Sequence, residues 1–210
     1  MLIRIVAEPA SWVVPYAERL AETLRSEHDA ERVSSYDEIP RGTDVSIFLG
    51  CTRIAGPEVL ARSRHNLVVH QSDLPRGRGW SPLAWQVIEG ARRIPVCLFE
   101  AVPELDAGPV YLRDEIELEG HELVDELREK QARSAIDLCL RFLRASPPPE
   151  AREQEGEPTF YARRGPESCE LDPHRTLAEQ FDLLRICDND RYPAFFDHRG
   201  HRYVLRIEKA

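Results

Sequence analysis

The chain reads as an α/β protein, a mostly parallel sheet with helices on both faces, followed by a small extension of one helix and a β-hairpin. Three observations carry this reading. Short apolar runs alternate with helical apolar spacing through residues 1–145, the pattern of βαβ units. The connections between these elements are short. After the prolines at 147–149 the composition changes.

Residues 2–7 form the first apolar run, and Val13, Val14, Ala17, Leu20, Ala21 and Leu24 then recur on one helix face. A second strand is expected over 32–36 and a third, DVSIFL, over 44–49, closed by Gly50. Pro57, favoured in a first turn, opens a short helix over 58–62. NLVV at 66–69 is the next strand. A Pro/Gly-rich loop over 73–79 and a helix over 80–89, ended by Gly90, follow it. Strands over 94–99 and 109–112, the latter extended through 114–118, precede a helix over 121–145. Its apolar stripe is Leu123, Leu127, Ala135, Leu138 and Phe142. Prolines 147–149 forbid its continuation. The charged, apolar-poor stretch 147–158 is expected to be a solvated linker between a core of 1–146 and an extension of 159–210. In the extension, 177–186 reads as a helix, and 194–196 and 203–207 flank Arg199-Gly200 as a hairpin.

Length and charge remove several classes of function. At 210 residues the chain buries a core without needing disulfides or a structural metal. The 28 Lys and Arg against 37 Asp and Glu give a formal charge of −9, which argues against nucleic acid as a partner, because phosphate-backbone binding neutralises many charges at once. No apolar run reaches the ~18–20 residues of a membrane span. The start, MLIRIVAE, lacks the basic and long apolar regions of a secretory signal. No membrane association and a cytoplasmic location are therefore expected. Cys51, Cys97, Cys139, Cys169 and Cys187 are widely spaced and form neither a zinc pattern nor CxxC. They read as reduced thiols, with Cys97 and Cys139 packed in the core.

Open parallel sheets bind ligands at the carboxyl ends of their strands, which points to the loops after Leu49, Val69 and Phe99. The segment NLVVHQSDLPRGRGWSPLAWQVIEG, residues 66–90, delivers His70 to such an end, with Ser72, Asp73, Arg76 and Arg78 close behind. An imidazole there can hold or lose a proton near neutral pH; on position alone, a histidine that merely braces the loop is the equal alternative. Leu105-Asp106-Ala107-Gly108 alone reads as a tight turn. Beside His70, its carboxylate would orient the imidazole and favour the protonated form. His65, His121, His174, His198 and His201 lie in polar or turn contexts and are expected to be solvated.

The string His70-x-Ser72-x-Leu74-Pro75-x-x-Arg78-Gly79-x-x-Pro82, then Trp85 and Gly90, is followed by Leu105-Asp106-Ala107-Gly108 at the matching separation. Together they resemble the signature of folate-dependent formyltransferases, the methionyl-tRNA formyltransferase-like family. The likeness covers residues 44–118 well and the amino-terminal units loosely. Within the family, residues 66–90 look closest to sugar N-formyltransferases of the pseudaminic acid type. A weaker likeness to sugar N-formyltransferases runs through RRGPES at 163–168, LLR at 183–185 and YPAFF at 192–196.

The resemblance implies a Rossmann-like sheet and transfer of a formyl group from the cosubstrate 10-formyltetrahydrofolate, without a metal. The implied acceptor is a small molecule, the amine of a nucleotide-linked amino sugar of 4-amino-4,6-dideoxy type. His70 and Asp106 become the implied catalytic pair. The pterin would lie along Thr52, Arg53, Ile54, Ala101, Val102 and Asp106, and the acceptor would touch Ser72, Arg78, Gly79, Trp80, Arg164 and Tyr192. One departure stands out: the family carries Asn two residues before the histidine, where this chain has Val68. Asn66 lies about 13 Å from His70 on a regular strand at ~3.3 Å per residue. Either Gln71 or a loop amide supplies the missing donor, or the pocket binds without turnover. A transformylase acting on a ribonucleotide or a peptide-synthesis intermediate, a formyl-folate hydrolase, and a folate-binding module also remain open. Formylation of initiator tRNA fits less well, because the chain is acidic and that branch carries a larger carboxyl-terminal nucleic-acid-binding domain. A homodimer contact is expected, if anywhere, on the apolar faces of the carboxyl-terminal helix and hairpin.

Overall fold

The computed structural model describes residues 1–210. Four strands, β1 (Leu2–Val6), β2 (Asp29–Val33), β3 (Thr43–Phe48) and β4 (Ser63–His70), pair in parallel. The two-residue β5 (Arg78–Gly79) lies outside this sheet. β6 (Arg93–Glu100) then runs antiparallel to β4, and β7 (Val110–Glu117) antiparallel to β6. The six-stranded order is β2-β1-β3-β4-β6-β7. It is the mixed but mostly parallel α/β sheet that the alternating pattern predicts.

Strand alternation distributes the apolar side chains between two unequal faces. Ile3, Ile5, Val45, Ile47 and Leu67 enter the main cluster together with the apolar stripes of α1 (Val14–Leu24), α3 (Pro82–Ile88) and α4 (Val124–Arg144). Val6, Val33 and Phe48 face the other way, under only α2 (Pro57–Leu60), which contributes Val59, and a 3-10 turn at Tyr36–Glu38. The cover is thus thick on one side and thin on the other. Leu127, Ala135, Leu138 and Phe142 of the predicted stripe are all buried on α4, and each fully buried large side chain contributes about 1.5–3 kcal/mol. Glu126 accepts from the Leu123 amide at 2.9 Å at the start of α4, and Arg141 and Arg144 lie in its last turn, where cations suit the helix dipole. No helix is long and apolar enough to cross a membrane.

Four sequence expectations shift. The second strand lies at Asp29–Val33, not 32–36, because its register is set by pairing Val6 with Val33 and Leu2 with Asp29. As an edge strand it buries only Ala30 and Val33, so its polar sequence hides it. In the tail, α-helix is confined to α5 (Phe181–Leu184), since Gln180 and Glu179 turn back to bond Asp172 and Thr176 in a closed loop. The stretch 147–158 has largely exposed side chains, as its composition requires, yet it is no free tether: Arg152 and Val110 exchange backbone hydrogen bonds at 2.7 and 2.9 Å. Beyond it, β8 (Phe160–Tyr161) pairs with β5, and β9 (Ala194–His198) with β10 (His201–Leu205) in the expected hairpin. Cys97 and Cys139 are fully buried in the core, and His65 is half-buried against Tyr111, Glu100 and Phe142 rather than solvated.

A buried ionic knot joins the tail to α4. The guanidinium of Arg185, 0% exposed, meets Asp182 at 2.7 Å and Glu122 at 3.6 Å, and Glu122 also accepts from Lys130 at 2.9 Å. Burial by itself would raise the Glu122 carboxyl. The hydrogen bonds from Lys130 and from the Glu119 and Gly120 amides outweigh it and hold the group at about 2. A carboxyl depressed on folding stabilises the native state above its unfolded value and loses that contribution as pH falls through the folded one. Glu122→Gln is expected to cost about 3 kcal/mol at neutral pH. It should also flatten the acid limb of stability between the ordinary value of 4.5 and about 2; urea melts across that range measure both effects.

Candidate active site

β4 delivers His70 to the end of the parallel strands. Alternation places His70 on the side of Val68 and Asn66, opposite Leu67 and Val69, which pack toward the main cluster. The loop 71–79 curls over the ring so that His70 Nε2 donates to the Gly77 carbonyl at 2.8 Å. That bond fixes a proton on Nε2 and leaves Nδ1 as the nitrogen free for chemistry. Phe99 stands edge-on to the imidazole, with centroids 6.5 Å apart.

The partner carboxylate arrives by a longer route. Because β6 is antiparallel, the loop after it leaves beside Asn66, whose carbonyl accepts from the Ala101 amide, rather than from the carboxyl end of the parallel strands. It then doubles back. Asp106, at φ +50°, brings Oδ2 within 3.7 Å of His70 Nδ1, and the Gly79 amide donates to the same oxygen at 2.8 Å. A non-glycine residue in the left-handed region costs on the order of 1–3 kcal/mol and persists only where its surroundings fix it. Two glycines make the fixing possible. A Cβ on Gly108 would lie 1.7 Å from the Glu100 carbonyl oxygen, and one on Gly79, at φ +104°, would lie 2.5 Å from that of Tyr161.

Around this pair opens a cavity of about 530 Å³, within the size range of small-molecule sites. Tyr36, Phe48, Cys51, Val68 and Phe99 form one part of its wall with the loop after β6; Trp12, Val13, Gln71 and Gln131 form another, and Arg163, Arg164, Arg191 and Tyr192 also line it. Burial pushes the Cys51 thiol up to about 12, so it is no nucleophile. Though the chain is acidic, four arginines border the cavity. Arg53 lies 5.4 Å from the Tyr36 ring, Arg163 stacks over Trp80 at 5.0 Å and Arg164 over Trp85 at 5.4 Å.

Most of the residues singled out in the sequence converge here. Thr52, Arg53, Ile54, Ala101, Val102, Gly79, Trp80, Arg164 and Tyr192 line the cavity with His70 and Asp106. The amide and hydroxyl of Thr52 are already bonded to Glu8, at 3.1 and 2.8 Å, so Thr52 braces the wall. Ser72 and Arg78 correct the expectation of substrate contact. Ser72 is buried outside the cavity against Gly77, and Arg78, also buried, spends its guanidinium on Glu104 at 3.0 Å and Gln154 at 2.8 Å. Asn66 is likewise committed elsewhere, donating to the Leu60 carbonyl at 3.0 Å, while Val68 faces the cavity. Gln71 reaches the cavity, its carboxamide oxygen accepting from Gln131 at 2.8 Å. Trp12, Tyr36, Gln131 and Arg191 carry no motif in the sequence; only folding brings them to the wall.

Residues 4–142 match the Formyl transferase family. The methionyl-tRNA formyltransferase of Rickettsia prowazekii is 30% identical over 122 residues, 58% of this chain but only 39% of that protein. The chain thus spans about two fifths of the length of this relative. Solved structures agree in fold over nearly the whole chain. A methionyl-tRNA formyltransferase from Clostridium thermocellum superposes with TM-score 0.82 at 23% identity, covering 96% of this chain and 90% of that one. A likely sugar N-formyltransferase from Mycobacterium tuberculosis gives 0.74 at 19% identity, covering 100% and 99%. HypX from Aquifex aeolicus, in complex with tetrahydrofolic acid, gives 0.73 at 18% identity, covering 98% and 37%. With well over half of its residues inside the family match, the chain belongs to the formyl transferase family.

Proposed function

We propose that the cavity transfers a formyl group from 10-formyltetrahydrofolate to a primary amine, and that His70 and Asp106 carry the reaction. The observation that supports this most directly is the 3.7 Å gap between His70 Nδ1 and Asp106 Oδ2 at the cavity wall. A small group seated there reaches both. The wall also suits a pterin: the backbone N–H and C=O groups of Val102 and Leu105 make no hydrogen bond within the chain, yet both residues line the cavity. They can pair with the edge of a flat heterocycle beside Tyr36 and Phe48.

In the reaction the amine nitrogen forms a bond to the formyl carbon, the bond from that carbon to the folate N10 breaks, and the amine proton ends on N10. Attack places negative charge on the formyl oxygen. Protonated His70 donates from Nδ1 to that oxygen, while its Nε2–H stays on the Gly77 carbonyl and keeps the ring from turning. Asp106, oriented by the Gly79 amide, stabilises the imidazolium and relays the amine proton. Gln71 takes the place of the donor missing at Val68, since the bond from Gln131 holds its carboxamide in the cavity.

For the acceptor we favour a nucleotide-linked amino sugar of 4-amino-4,6-dideoxy type. Arg163, Arg164 and Arg191 offer charge to a diphosphate, and Trp80 and Tyr192 offer faces to a base or sugar. The likely sugar N-formyltransferase aligns from end to end, including the tail that carries these residues. A second reading, an aminoacyl-tRNA acceptor, is favoured by the sequence relative, which is a methionyl-tRNA formyltransferase.

Alanine at His70 or at Asp106 is expected to lower turnover by roughly 10²–10⁴-fold while leaving tetrahydrofolate affinity nearly unchanged. Near-normal turnover in either variant, read by stopped-flow and equilibrium binding, refutes the pair. A panel of 4-amino-sugar nucleotides and methionyl-tRNA, scored by mass spectrometry for the gain of one CO, separates the two acceptors. With a sugar nucleotide, Arg163→Ala and Arg164→Ala should each raise its KM by about tenfold without changing that of the formyl donor.

A further inference from the structure

Gln154, in a segment whose composition marks it as solvated chain, reaches back to the loop that carries Asp106. Its Nε2 donates to the carbonyls of Asp106 and Gly108, both at 2.8 Å, and its Oε1 accepts from Arg78 at 2.8 Å. Arg78 also holds Glu104 at 3.0 Å. One carboxamide therefore ties together the turn from Glu104 to Gly108, including the residue whose backbone lies in the left-handed region.

The segment around Gln154 is anchored on both sides. Arg152 pairs with Val110. Farther on, Thr159 accepts from the Gly77 amide through its hydroxyl at 2.8 Å and from the Arg78 amide through its carbonyl at 2.9 Å. Tyr161 lies opposite Gly79 in the β5–β8 pair. Both groups that set the catalytic pair are thus reached from this one stretch: the Gly77 carbonyl on His70 and the Gly79 amide on Asp106.

We infer that Gln154 is a positioning residue, the clasp of a strap over residues 152–161 that holds the Asp106 carboxylate at the distance from His70 that formyl transfer needs. This rests on the reading of His70 and Asp106 as the catalytic pair. Without the clasp the loop keeps its sequence but loses the two bonds that stabilise its unfavourable backbone conformation, and a displacement of about 1 Å at reacting groups costs on the order of 100-fold in rate.

Two variants test the clasp. Gln154→Met keeps the length of the side chain and removes all three hydrogen bonds. Gln154→Glu keeps an acceptor for Arg78 and turns a carboxylate against the two carbonyls. The Gly79 amide reports the Asp106 carboxylate directly, and the Arg78 amide, bonded to Thr159, serves as the control for the strap. In both variants, NMR hydrogen exchange at Gly79 should quicken by about tenfold or more while that at Arg78 stays near the wild-type rate. kcat should fall by about tenfold or more, with KM for both substrates within about threefold. In an Asp106→Asn background, Gln154→Met should add no further loss, because it acts through Asp106. Wild-type exchange at Gly79 in both variants overturns the inference, as does a loss that multiplies with Asp106→Asn. Quickened exchange at Gly79 with a wild-type kcat overturns it as well, whereas wild-type formyl transfer by Asp106→Asn alone refutes the separate reading of Asp106 as catalytic.

Discussion

The hydrogen bond from the Gly79 amide to the Asp106 carboxylate is the point on which the site turns. It joins the loop after β4 to the loop after β6, two pieces of chain that leave the sheet in opposite directions, and it aims the acid at an imidazole already held through its other nitrogen. Each part of that arrangement demands something of the backbone. Asp106 must adopt a left-handed conformation, Gly108 must pass against the Glu100 carbonyl, and Gly79 must pass against Tyr161. A carboxylate anchored in this way loses little freedom when a substrate arrives, which is the general condition for stabilising a transition state rather than a ground state.

The sheet accounts for why the site opens where it does. Its long helices share one face, and the other carries only α2 and a short turn beside irregular chain. His70, by alternation, comes out on the thinly covered side. The antiparallel placement of β6 adds to the opening, because it sends residues 101–109 away from the end of β4 and back again. Space bounded by such a returning loop is larger than the crevice between two parallel strands.

Charge illustrates the gap between a global and a local quantity. A chain with formal charge −9 still presents Arg53, Arg163, Arg164 and Arg191 around one cavity, and it is the local field, not the sum, that a bound anion meets. Two of these guanidinium groups lie over tryptophan rings. Net charge is informative about extended polyanions and much less so about a single diphosphate.

Much of the architecture could be read before folding. Alternation of apolar periods located nearly every strand and helix of the first 145 residues, because burial on one face of a sheet or helix leaves its period in the sequence. It failed at β2, an edge strand that buries too little to leave one, and in the tail, where side-chain bonds rather than an apolar stripe shape residues 172–180. Within the site, the two motifs around His70 and Asp106 were visible because a strand end and a glycine-bearing turn constrain residue types locally. Their chemistry also required the two to meet, and that rests on a loop reversal no local pattern encodes. The same is true of what the arginines face. Arg78 sits in the best-matched motif yet points to Glu104 and Gln154, whereas Arg191, in an unremarked turn, lines the cavity. Periodicity and residue type determined the elements and the candidate residues; only the tertiary structure decided which groups share a cavity, because that depends on register, strand direction and chain return over separations far longer than any sequence period.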